Sequence, residues 1–212
     1  MAYFPLFVDL TQKKCLVVGG GAVATRKVRM LLDFEARVLV VAKNICGELK
    51  LLSEESNQIS LHLREFCEED IEDVFLVIAA TNDCNLNKCI SSECKMRHIP
   101  VNVVDSKEEC SFILPSYVKK KGVIAAFSSG GKSPVLTQYL KKMAKEYVTE
   151  ELGDINAYLG NIRKEIQCLL PTEEQRKEVF EKILDYSLTN HEIPSKKETE
   201  IIISWVKAKH EL

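Results

Sequence analysis

The 212-residue chain lacks several patterns that would assign it to other classes of protein. No apolar run approaches the roughly 18 residues that a membrane-spanning helix needs. The formal net charge is −2, so the sequence has no broad basic field for nucleic acid or anionic lipid. Residues 1–10 contain Asp9 and no basic cluster, unlike a signal peptide. We therefore expect a cytoplasmic protein without nucleic-acid or membrane partners.

Cysteine occurs 8 times, but never in a Cys-x-x-Cys pair. Cys84, Cys89 and Cys94 follow one another at intervals of five residues. Five residues of a helix turn through about 140° beyond one full turn, so these thiols do not share a face. Disulfide frameworks are typical of short secreted chains, which this sequence does not resemble. We expect reduced, mostly buried thiols and no metal site.

The first half of the chain alternates short apolar runs with helical periodicity. Helical spacing covers residues 22–32, and a second helix is expected from Leu86 to before Pro100. Alternation of this kind predicts an α/β fold with a Rossmann-like parallel sheet. The predicted strands cover residues 15–18, 37–41, 59–63, 74–80 and 101–104, the third as a half-exposed edge strand.

The pattern changes near Ser111. Short β runs are expected at residues 111–114, 117–119 and 123–127, with a turn at residues 120–122. Ser133 followed by Pro134 predicts the start of a helix. The remainder is helical, with capping-box patterns at residues 172–175 and 195–198. We therefore divide the chain into a Rossmann-like domain (1–113), a small β-plus-helix segment (114–149) and a helical C-terminal domain (150–212).

A glycine run gives the strongest local signal. Gly19, Gly21 and Ala24 fill the three places of the G-x-G-x-x-G/A fingerprint, after a predicted strand and at the start of a predicted helix. Gly19 permits a tight turn, and Gly21 lets a pyrophosphate approach the backbone. The helix N-terminus at Ala22 and Val23 favours negative charge. A glycine turn can be purely structural, but this context favours a dinucleotide cofactor.

No acidic residue follows the second strand, where such domains usually hold the adenosine ribose. Asn44 can accept the ribose hydroxyls, and Lys43 can tolerate a 2′-phosphate. The residues themselves therefore leave NAD and NADP open. A solvated loop lysine is an equal interpretation of Lys43.

Polar residues also follow two later strands. Thr81 is expected beside the glycine turn and near the cofactor, while Asn82 or Asp83 can cap the next helix. Asp105 follows the last strand, at the ligand-binding edge of the sheet. By spacing alone, a turn residue or a cap is the favoured interpretation of Asp105.

A small polar loop precedes the helix that starts at Pro134. Ser128, Ser129, Gly130 and Lys132 offer hydroxyls, backbone N–H groups and one cation to an anion such as a substrate carboxylate. The loop lacks the full P-loop spacing, which argues against a nucleoside triphosphate. A flexible turn with an N-cap is an equal alternative.

Together these motifs resemble the precorrin-2 dehydrogenase/sirohydrochlorin ferrochelatase family of sirohaem synthesis, which includes the N-terminal part of bacterial sirohaem synthase. The resemblance is clear over roughly residues 1–150 and loose over the helical tail. The matching segments are residues 4–7, 15–24 with Arg26 and Lys27, 78–83, 102–105, 111–115 and 128–134.

The resemblance implies a stand-alone enzyme that oxidises precorrin-2 to sirohydrochlorin with NAD and then inserts ferrous iron. The resemblance also implies that Asp105 is the acid/base carboxylate for both the oxidation and the iron insertion. It also implies a tetrapyrrole substrate and a homodimer formed through residues 114–149. Two alternatives from other classes stay open: a regulatory module that senses NAD without turnover, and a tetrapyrrole-binding carrier without chemistry.

Overall fold

A computed structural model describes residues 3–210 of the chain. Its contacts divide the chain into two compact units, the first ending at Leu114 and the second beginning at Pro115. Each unit has its own apolar core. No helix in the part that the structure describes is both long and apolar enough to cross a membrane.

The first unit is built on a parallel sheet of five strands. The strands are β1 (Lys14–Val18), β2 (Arg37–Val41), β3 (Ile59–His62), β4 (Leu76–Ala79) and β5 (Val101–Val103). Their order is β3-β2-β1-β4-β5, with β3 at one edge. The predicted Rossmann-like sheet is therefore confirmed, because this is the strand order of that fold.

Three helices cover the two faces of this sheet: α1 (Ala22–Leu32), α2 (Gly47–Glu55) and α3 (Cys84–Met96). Val28 of α1 and Leu49 of α2 pack into one core, whereas Ile90 of α3 packs into the other. The central strands are apolar on both sides because each face is covered by a helix. The carboxyl ends of β1, β4 and β5 thus lie side by side at one edge of the sheet.

The second unit combines a hairpin with helices. Strands β6 (Ser116–Lys120) and β7 (Val123–Phe127) form a two-stranded antiparallel sheet. Ser133 caps the following helix, since its Oγ accepts from the N–H of Leu136 over 3.2 Å. The helices are α4 (Pro134–Tyr147), α5 (Glu150–Leu169), α6 (Glu173–Asn190) and α7 (Lys196–His210).

Both predicted capping boxes are present, one predicted strand is absent, and one helix was not predicted. Residues 111–114 form no strand. The N–H of Val101 donates to the Ser111 hydroxyl over 2.8 Å, and the N–H of Ser111 donates to the carbonyl of Val101 over 2.9 Å, so a side chain replaces one backbone bond of a ladder. Helix α2 was not predicted, because its periodic signal is limited to Leu49 and Leu52. The boxes join Thr172 to Gln175 and Ser195 to Glu198. The three-part domain division stays a prediction.

Candidate active site

Gly19 and Gly20 lie in the turn between β1 and α1, and neither has room for a side chain. Gly19 has φ +129°, and a Cβ there would lie 2.3 Å from the carbonyl oxygen of Ala80. A Cβ on Gly20 would lie 2.1 Å from the carbonyl oxygen of Asn44. The N–H of Cys46 donates to the carbonyl of Gly20 over 2.8 Å. The turn is therefore packed against the segments that follow both β4 and β2.

Gly21, in contrast, borders open space. A Cβ there would have no heavy atom within 4 Å apart from its chain neighbours. Its φ of −90° and ψ of −175° are extended backbone that other residues can adopt. Gly21 is the N-cap of α1, makes no side-chain cap, and no acidic residue lies in the first turn.

The N-terminus of α1 therefore fits a phosphate group. The N–H groups of the first turn, including those of Ala22 and Val23, have no acceptor within a helix. Such N–H groups and the helix dipole attract anions. A side chain at Gly21 would fill the open space in front of them. The residues present thus fit the pyrophosphate of a dinucleotide.

The segment after β2 presents Lys43 and Asn44, both exposed. Lys43 Nζ donates to Glu65 Oε1 over 2.8 Å, and this hydrogen bond raises the pKa of Lys43. The carbonyl of Asn44 faces Gly20, whereas its exposed side chain retains its hydrogen-bonding groups for a ribose. Sequence reasoning did not assign Glu65, because it follows a different strand, β3.

Thr81 follows β4, and its hydroxyl is engaged within its own turn. Its Oγ1 donates to Asn87 Oδ1 over 2.7 Å and accepts from the N–H of Asp83 over 3.1 Å. Asp83 Oδ1 accepts from the N–H groups of Asn85 and Leu86 over 2.9 and 3.1 Å. The interpretation of Asp83 as a helix cap is confirmed. Thr81 shapes this turn, and its contact with the cofactor stays a prediction.

Asp105 lies in the turn after β5, is exposed and has φ 59°. The turn begins beside β4, since the N–H of Val104 donates to the carbonyl of Ala79 over 3.0 Å. Cys110 Sγ holds its two ends together: it accepts from the N–H of Val103 over 3.1 Å and donates to the carbonyl of Ser106 over 3.2 Å. The backbone therefore places Asp105 at the carboxyl edge of the sheet.

Lys27 of α1 interacts electrostatically with Asp105 and with Cys110. Burial and the nearby charge of Arg26 lower the pKa of Lys27, against the opposing effect of Asp105 and Cys110. Sequence analysis noted Lys27 only as part of a matching motif and gave it no role.

Ser128, Ser129, Gly130 and Lys132 belong to the second unit, in the loop between β7 and α4. Ser128 Oγ accepts from the N–H of Gly130 over 3.0 Å, and Ser129 Oγ accepts from the N–H of Ser133 over 2.9 Å. Gly130 has φ 62°, in the left-handed region. The loop is thus an ordered turn, in which both serine hydroxyl oxygens accept hydrogen bonds from backbone N–H groups. Substrate binding by these residues stays a prediction.

Within the first unit, one sheet edge therefore combines an anion-binding helix N-terminus with a carboxylate. The glycine turn follows β1, and Asp105 follows β5, with β4 between them. Such an edge is where ligands bind in open α/β sheets. Among residues 3–210 no group of three or more His, Cys, Asp and Glu side chains is arranged to hold a metal ion. The expectation of mostly buried thiols is wrong, because only Cys15 and Cys94 are buried. The arrangement suits a dinucleotide next to a proton acceptor.

Comparison with known proteins points in the same direction. Residues 6–116 match the family described as "Putative NAD(P)-binding". The chain is 42% identical over 187 residues to the siroheme synthase of Nitrosospira multiformis, covering 87% of this chain and 40% of that protein. It is 42% identical over 195 residues to the siroheme synthase of Zymomonas mobilis, covering 92% and 41%. The chain spans about two fifths of the length of these curated relatives.

A solved structure shares the fold. SirC, a precorrin-2 dehydrogenase, matches with a TM-score of 0.76 over 97% of this chain and 100% of that chain, at 24% sequence identity. The family resemblance inferred from the motifs is confirmed by the family match and the siroheme synthase matches, and the SirC match confirms the fold.

Proposed function

We propose that this chain, which belongs to the NAD(P)-binding family matched by residues 6–116, oxidises precorrin-2 to sirohydrochlorin with NAD. The observation on which this depends is the sheet edge itself. There, the open space at Gly21 lies at the same edge as the carboxylate of Asp105. The names of the siroheme synthase relatives and of SirC support the choice of substrate.

The first unit would hold the cofactor in the following way. The N–H groups of Ala22 and Val23 would bind the pyrophosphate, with Gly19 and Gly21 giving the backbone its close approach. Asn44 would accept the ribose hydroxyls. When bound, NAD supplies the acceptor for a hydride.

Asp105 would act on the substrate. Oxidation of precorrin-2 removes a hydride and a proton, and we assign the proton to the carboxylate of Asp105. In the second unit, Ser128, Ser129, Gly130 and Lys132 would bind carboxylates of the tetrapyrrole through N–H, O–H and ammonium groups.

Iron insertion is the second activity that we propose. Ferrous iron is a substrate here and not a resident cofactor. Its entry into sirohydrochlorin displaces two protons from pyrrole nitrogens, and a carboxylate at the edge of the tetrapyrrole can accept them one at a time, passing each to solvent. Asp105 would serve this step as well. Parallel assays with and without iron separate the two activities.

We also propose a homodimer formed through residues 114–149. The hairpin of β6 and β7 is a two-stranded sheet, so the outer edge of each strand carries backbone N–H and C=O groups that can pair with a second copy. Val135 and Tyr139 on the adjoining helix α4 are 80% and 58% exposed, which leaves apolar surface for a second copy. We expect the protein in the cytoplasm, because all eight cysteines are free thiols.

The proposed function is tested by anaerobic incubation of the purified chain with precorrin-2 and NAD. We expect sirohydrochlorin absorbance and NADH to appear together, and neither to appear without NAD. NAD binding without turnover would contradict the proposed oxidation and favour the NAD-sensing module. Binding of precorrin-2 without binding of NAD would favour the tetrapyrrole carrier.

A further inference from the structure

No acidic residue follows β2 in the sequence, but the neighbouring strand β3 brings a carboxylate to the carboxyl end of β2. Lys43 follows β2, and Glu65 follows β3, its neighbour in the sheet. The two segments stay together beyond the ladder, since the N–H of Ala42 donates to the carbonyl of His62 over 3.1 Å. Lys43 Nζ lies 2.8 Å from Glu65 Oε1.

This ion pair contributes little to folding. The side chains of Lys43 and Glu65 are 68% and 76% exposed. Ion pairs between such exposed groups are screened by water and lose side-chain entropy, so they add almost nothing to stability. Breaking this ion pair in a variant should therefore leave the protein folded.

The backbone beside Glu65 is, by contrast, firmly held. Arg64 donates to both carboxylate oxygens of Asp70, whose side chain is only 4% exposed. The same guanidinium donates to the carbonyl of Glu65 over 2.9 Å. Asp70 also accepts from the N–H of Cys67 over 3.0 Å. A buried, fully bonded charge thus fixes the backbone on both sides of Glu65.

We propose that Glu65 supplies, from the end of β3, the carboxylate that dinucleotide-binding domains usually have at the end of β2, and that it makes the chain select NAD over NADP. A carboxylate at this place can accept a hydrogen bond from the adenosine ribose. It also neutralises Lys43, which would otherwise attract a 2′-phosphate, and it repels that phosphate directly. Asp83, which interacts electrostatically with Lys43, adds to the negative charge around it.

The inference rests on the cofactor site of the proposed function, so its test measures binding and not turnover. Isothermal titration of NAD and of NADP against the wild-type chain and Glu65→Gln gives the ratio of the two affinities. Glu68→Gln is the matched control, because Glu68 is another exposed carboxylate only three residues further along. Both substitutions remove a charge from an exposed side chain, so the variants should fold.

We expect wild type to bind NAD more tightly than NADP, and Glu65→Gln to raise NADP affinity relative to NAD by about tenfold, the size of one screened charge contact of about 1.4 kcal/mol. The gain in NADP affinity should shrink in high salt, and it should be smaller when Lys43→Met is added, because only the direct repulsion by Glu65 then remains to be removed. Glu68→Gln should leave the ratio unchanged.

An unchanged ratio in Glu65→Gln, with both dinucleotides still bound, would overturn this inference and leave the proposed function intact. Equal affinity of wild type for NAD and NADP would overturn it as well. Failure of the wild type to bind either dinucleotide would overturn the cofactor site of the proposed function, and this inference with it.

Discussion

Gly19, Gly20 and Gly21 share one turn, but only Gly21 borders open space, and this difference leads to a specific prediction. Valine at Gly21 would place its Cβ beside the N-terminus of α1, where no heavy atom other than those of the chain neighbours lies within 4 Å. Gly21→Val should therefore fold. It should block the approach of a pyrophosphate, because the side chain occupies the space that the phosphate needs.

The structure sets the size of both effects. Gly21 has extended backbone angles that valine tolerates, so only the N-cap preference for glycine is lost. That loss lowers the free energy of unfolding by about 0.5–1 kcal/mol. A hydrogen bond to a charged group contributes about 1.5–3 kcal/mol, so losing one or two lowers NAD affinity by roughly tenfold to about 2 × 10⁴-fold.

Two further glycines serve as controls for the substitution. Gly47, at the start of α2, is equally open, and Gly47→Val should leave both stability and NAD affinity close to wild type. Gly20→Val should instead lower the free energy of unfolding by about 1–3 kcal/mol or more, since its Cβ meets the Asn44 carbonyl at 2.1 Å. Urea unfolding and calorimetric titration with NAD measure the two quantities. A folded Gly21→Val protein with unchanged NAD affinity would refute the cofactor site.

Two other predictions concern the assembly and the buried ion pair. Light scattering at micromolar concentration should give twice the mass of the chain, and a monomer there would count against the dimer. Arg64→Ala should lower the free energy of unfolding by about 2 kcal/mol at neutral pH, because Asp70 loses its partner, whereas Arg29→Ala, from an exposed pair with Glu48, should cost less than about 1 kcal/mol. Burial opposes ionisation of Asp70, but the hydrogen bonds from Arg64 and Cys67 outweigh it and lower the pKa of Asp70. The stability that Arg64 adds is therefore present above the ordinary carboxyl pKa, and wild type loses it as the pH falls below that value. Equal acid sensitivity of Arg64→Ala and wild type would contradict this.

The sheet was predictable from sequence because its strands are buried on both faces. Runs such as residues 15–18 are continuously apolar, and the glycines that follow them fix the position of the first turn. Caps were equally readable: Asp83, Ser133 and Thr172 each bond to N–H groups two or three residues ahead, a local interaction that sequence spacing determines.

The parts that sequence analysis missed depend on contacts between distant segments. Gly20 occupies an unspecified place in the fingerprint, and its need for glycine comes from the Asn44 carbonyl. Glu65 reaches Lys43 only because β3 pairs with β2. Residues 111–114 have β-like composition, but the Ser111 hydroxyl takes the place of a ladder bond to Val101. Strand pairing and backbone packing decide these features, and neither follows from local spacing.

The central claim is that Asp105 performs chemistry at an NAD-binding sheet edge, and comparison of Asp105→Ala with wild type tests it most directly. Asp105 is exposed, but its φ of 59° is less favourable for alanine, so Asp105→Ala should lower the free energy of unfolding by about 1 kcal/mol and still fold. NAD affinity should be unchanged, whereas NAD-dependent oxidation of precorrin-2 should slow by roughly 10²–10⁴-fold if Asp105 is the general base. Iron insertion, measured separately, should slow as well. Near wild-type rates in both assays, with the protein folded and NAD bound, would show that Asp105 is an ordinary turn residue and contradict its proposed catalytic role.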